Sequence, residues 1–106
     1  FAWLRSHNIN TERFFILCGD RHWKYHSQHP GGIQELSCGA LNVENARTGH
    51  KPGAKKSNDP EGKLSLKYTD AIPSGGFLRV SLTPGEKLEF SHHDDKGAVL
   101  YQHRAP

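Results

Sequence analysis

The chain has 106 residues, a length that fits one domain or part of one. Its hydrophobic content is 34%, low for a self-sufficient core, and no apolar run approaches the length of a bilayer-spanning helix. A formal charge of +3 suits an anionic substrate, but the basic residues are scattered and do not interleave with aromatics, which argues against a nucleic-acid scaffold.

Phe1 to Leu4 is apolar from its first residue and reads as the end of a helix reaching His7-Asn8, where Asn stops it. A natural terminus is more often polar and frayed, so the pattern predicts a piece cut from a longer protein. Arg13 to Cys18 is predicted as a strand. Its continuous apolar run from Phe14 predicts burial on both faces, as in the centre of a sheet. Gly19 breaks the strand, Gly19 to Trp23 is a loop, and Lys24 to Ser27 returns to extended structure. His29-Pro30-Gly31-Gly32 is a turn. Ile33 to Cys38 is a second strand, and Ala40 to Ala46 is predicted as one or two helical turns. Cys18 and Cys38 read as two buried thiols, with a disulfide the alternative in an oxidising compartment.

Residues 48–76 carry repeated Gly and Pro with lysines between them and are predicted as one long loop. Phe77 to His103 then reads as a three-stranded antiparallel meander. Leu78, Val80 and Leu82 share one face, as do Leu88 and Phe90. Thr83-Pro84-Gly85-Glu86 and Asp94-Asp95-Lys96-Gly97 form its turns. His92-His93-Asp94-Asp95 resembles a metal cluster only superficially. Consecutive strand residues face opposite ways, so the four are predicted as a solvated turn.

Chemistry concentrates at Cys18-Gly19-Asp20-Arg21-His22-Trp23. Residues two apart in an extended segment point the same way, so Asp20 and His22 can face one point beyond the strand's carboxyl end. A carboxylate and an imidazole together suit iron, zinc or manganese, and the carboxylate also suits calcium. A metal-bound His also needs a partner on its other ring nitrogen, which the sequence does not name. Arg21, between the two, is predicted to point away from them, with a phosphate contact as the alternative. Trp23 is expected to pack beside the site. His26 is carried as a substrate-binding candidate, against a supporting or surface role. Lys51, Lys55 and Lys56 could draw in an anion. No P-loop or Gly-x-Ser-x-Gly elbow is present.

The run Phe14-Phe15-Ile16-Leu17-Cys18-Gly19-Asp20-Arg21-His22-Trp23-Lys24-Tyr25-His26-Ser27 closely resembles the C-terminal signature of PhoD-like phosphatases, the alkaline phosphatase D family. Ile33 to Ala40 resembles that family's next strand. Asn45-Ala46-Arg47, Lys51-Pro52-Gly53 and Asp59-Pro60-Glu61-Gly62 resemble its following loop, and Pro73 to Val80 with the meander its last strands. The resemblance implies a single partial domain over 1–106. It would be a mixed α/β fold, the C-terminal part of a metallophosphoesterase β-sandwich flanked by helices and ending in the meander. It implies Asp20 and His22 as catalytic metal ligands, with iron and calcium, or zinc or manganese, as the metals. Phosphomonoesters or phosphodiesters would be the substrates, the location periplasmic or extracellular, and the remaining ligands would lie upstream of Phe1. The competing class is a non-catalytic β-rich binding or structural module.

Overall fold

The computed structural model describes all 106 residues. The opening helix α1 is short, Ala2–Ser6, and Asn8 turns the chain away from it in the left-handed conformation (φ 56°). A 3-10 turn at Thr11–Arg13 leads into β1, Phe15–Cys18. After the Gly19–Trp23 loop come β2, Lys24–Gln28, and β3, Gln34–Cys38. A second 3-10 turn, Val43–Asn45, replaces the predicted helical turns over 40–46. The Asn42 side chain accepts the Asn45 N–H there, closing one tight turn and no more.

Four strands form the first sheet, in the order β1-β3-β2-β4, with β4 at Ser65–Thr69. β1 runs parallel to β3, whereas β2 is antiparallel to both β3 and β4. Two predictions are corrected here. The segment 48–76 is not all loop, because Leu66 and Tyr68 lie inside β4 and complete the sheet. And β1 is an edge strand, not a central one. Its apolar run meets only β3. Phe15 packs on Phe90, ring centroids 4.7 Å apart, while Leu17 stays 54% exposed.

The second sheet is the predicted meander: β5, Gly76–Ser81, β6, Glu89–Asp94, and β7, Val99–Arg104, all antiparallel. Its register pairs Leu78 with His92 and Val80 with Phe90, and His92 with Tyr101 and Phe90 with His103. Opposed residues share a face, and this face lies on the first sheet. The expected Leu78, Val80, Leu82 seam is therefore only partly used, since Val80 and Leu82 remain exposed. The meander's contact with the first sheet is made by Phe90, His92, Tyr101 and His103 instead.

The predicted solvated turn at 92–95 is also corrected. His92 and His93 are buried inside β6, and the turn begins only at Asp94, whose Oδ1 accepts the Lys96 and Ala98 N–H groups. The β6 alternation that buries Phe90 buries His92 as well. His93, on the other face, stacks on Phe77 at 4.7 Å. The cysteines are free thiols and only half-buried. The whole is a β-rich α+β domain of two facing sheets with little helix.

Polar and charged residues outnumber hydrophobic ones among the buried positions, eight to six. Such a core holds only where its polar groups are paired. The deepest case is Lys24, with no exposed side-chain surface. Its Nζ donates to Asp70 Oδ2 (3.1 Å), Ser74 O (2.8 Å) and Ser74 Oγ (2.9 Å), and so ties β2 to the β4–β5 connection. Gly76 begins β5 at φ 148°, and a Cβ there would overlap His93 O and crowd the Lys24 stem, so only glycine passes.

Candidate functional site

The Gly19–Trp23 loop leaves the carboxyl end of β1, and Asp20, Arg21 and His22 are all exposed on it. The His22 ring is nevertheless fixed. Its Nδ1 lies 2.9 Å from Asn45 O, and its own carbonyl accepts the Arg47 N–H at 2.8 Å. A carbonyl only accepts, so Nδ1 donates here, and Nε2 has no protein partner. Metal-binding histidines are prepared in this way, with the far nitrogen's N–H held by a carbonyl that sets tautomer and orientation. Asp20 takes part in no ion pair. One oriented imidazole and one free carboxylate fit a hard-to-borderline metal as two of its ligands. No group of three or more His, Cys, Asp or Glu side chains converges within the chain, so these two donors do not form a complete set.

Asn45 is the residue that sequence reasoning missed, because a backbone carbonyl acts here and carries no side-chain signature. The short 3-10 turn delivers it, and the buried Ala46 and the Arg47 guanidinium, bonded to Glu44 O and Ala46 O, hold that turn in place.

The other candidates separate from this pair. Arg21 turns towards Trp23, its Cζ 5.5 Å from the ring centroid, and with Trp23 and Tyr25 it faces a cleft that neither Asp20 nor His22 lines. Trp23 is half-buried in that cleft. His26 takes the opposite face of β2 and has no exposed surface, with Nε2 2.6 Å from Gln34 Oε1 and Nδ1 2.9 Å from Tyr101 Oη. With both ring nitrogens engaged between the sheets, His26 is placed away from any ligand bound at the loop.

Between the sheets His26, His92, His103, Tyr68 and Tyr101 form one aromatic cluster. Tyr68 and Tyr101 stack at 4.5 Å, and His26 meets His103 edge-on at 4.5 Å. Burial pushes the His26 pKa down to about 4, with the charges of His103, Lys67 and His92 acting in the same direction and the Gln34 hydrogen bond opposing them. Burial lowers His92 and His103 too, and raises Tyr68 and Tyr101. His92 Nε2 donates to Ser37 O at 2.8 Å, which leaves its Nδ1 buried without a partner, as is His103 Nε2. A neutral ring tolerates an unused lone pair far better than a cation tolerates the same site.

No protein-family model matches the chain, and neither the curated proteins nor the solved structures include a match to it. No helix is long and apolar enough to cross a membrane.

Proposed function

We propose that this chain is the C-terminal part of a metal-dependent phosphoric ester hydrolase, in which Asp20 and His22 supply two ligands of the metal centre. The observation that carries this reading is the His22 ring, held through Nδ1 by Asn45 O with Nε2 left without a protein partner, on the same exposed loop as an Asp20 carboxylate that makes no ion pair. The resemblance of Phe14 to Ser27 to the PhoD-like signature supplies the reaction class. Iron with calcium, or zinc or manganese, would bind there, the remaining ligands coming from a segment outside these 106 residues. When bound, the metals would polarise the phosphate ester and activate water. The chain's own part is to present Asp20 and His22 at a strand end and to hold the imidazole in the tautomer that leaves Nε2 basic. Export to the periplasm or cell exterior belongs to the same reading.

The test is hydrolysis of phosphomonoesters and phosphodiesters by the full-length protein, as isolated and after chelation and metal resupply. Asp20→Asn and His22→Ala are each expected to lower activity by a hundredfold or more, on the order of 2.7 kcal/mol of lost transition-state stabilisation. Full activity in both variants would overturn the assignment. A protein that hydrolyses no phosphate ester, whatever metal is supplied, would instead support the non-catalytic binding module.

A further inference from the structure

The outer face of the first sheet, turned away from the meander, carries Tyr25, Ser27, Glu35 and Leu66, and residues 50–64 fold over it. The result is a cleft of about 360 Å³. That is within the range of small-molecule sites and leaves far more room than a bare inorganic anion fills.

Its lining sorts by what is already satisfied. Glu35 accepts the Tyr25 hydroxyl proton. Asp59 spends both carboxylate oxygens on the Lys63 and Leu64 N–H groups, at 2.9 and 2.8 Å, holding the roof closed on itself. The two cations are not so engaged. Lys56 makes no ion pair, and Arg21 leans on the Trp23 ring without a carboxylate partner. Trp23 and Tyr25, ring centroids 5.9 Å apart, line the same cleft, with Leu64 and Leu66 continuing the apolar wall. Unpaired cations, carboxylates whose oxygens are already taken up by neutral donors within the fold, and an aromatic-aliphatic wall fit a ligand with a compact anionic end and a flat apolar body.

We propose that this cleft is a binding site for a small aromatic phosphate, its phosphate between Arg21 and Lys56 and its ring against Trp23 and Tyr25. The site is separate from the Asp20–His22 pair and needs no metal, so it stands or falls independently of the proposed hydrolase.

Isothermal titration calorimetry of the purified protein in chelator tests it, with phenylphosphonate, which contains no hydrolysable ester, as the probe. Saturable one-to-one binding is expected. Arg21→Gln and Lys56→Gln, both at exposed positions, are each expected to weaken it by about tenfold, the worth of one charge-assisted hydrogen bond. Inorganic phosphate and benzyl alcohol, each carrying half of the proposed chemistry, are expected to bind at least about tenfold more weakly than the probe. Absence of saturable binding, or equal affinity in both variants, would overturn the proposal. Inorganic phosphate binding as tightly as the probe would overturn the aromatic half of it.

Discussion

Acid should loosen the two sheets through His26. In the folded chain this ring is neutral down to about pH 4, whereas the unfolded chain titrates it at the ordinary 6.5. Between those values the unfolded state binds more protons, so stability is complete above about pH 6.5 and is lost as pH falls towards 4. The gap corresponds to about 3 kcal/mol, a large share of the stability of a domain this small. His92 and His103 are lowered by the same burial and steepen the loss. Geometry gives the reason: Nε2 donates to Gln34 Oε1 and Nδ1 accepts from Tyr101 Oη, so a second ring proton would reverse the Tyr101 hydroxyl's role and leave a cation fully buried between the sheets. Urea unfolding followed by circular dichroism at steps from pH 7.5 to 4 measures the slope, with His26→Gln as the control for carboxylates that titrate in the same range. Its curve is expected to be flatter than the wild-type one, whatever its absolute stability. Equal slopes, or an NMR titration placing His26 near its ordinary value, would refute the reasoning.

Asp70→Ala would strand the buried Lys24 ammonium and is expected to destabilise the fold by about 3–5 kcal/mol in urea unfolding. Lys24→Met, which removes the charge and keeps the stem's volume, is expected to cost less, and the opposite order would contradict the pairing. A Cβ at Gly49 would overlap the Trp23 indole at Cε2 and Nε1, so Gly49→Ala is expected to cost about 1–3 kcal/mol and to shift the Trp23 indole signal in NMR. An unmoved indole with full stability would show that the loop yields instead.

Periodicity carried the meander in the sequence, because Leu78-x-Val80 and Leu88-x-Phe90 alternate between recognisable turns. It was misleading where hydrophobicity stood in for burial. The Phe14–Leu17 run is as apolar as a central strand, yet β1 has a neighbour on one side only. His92 and Lys24 look like surface residues, yet they occupy inward positions and are sustained by Ser37 O, Asp70 and Ser74. Ser65–Thr69 was hidden among glycines and prolines, its strand character settled by pairing with β2 rather than by its own composition. At the candidate site the Asp20 and His22 spacing was legible. The Asn45 carbonyl was not, because only the folded backbone brings residue 45 to residue 22.

The most direct test of the proposed metal centre is its stoichiometry. Elemental analysis of the full-length protein, compared with its Asp20→Asn, His22→Ala double variant, is expected to find about two metal ions per chain in the first and a clear loss in the second. A full-length protein without metal, or a variant that retains the full complement, would contradict the assignment of Asp20 and His22 as ligands.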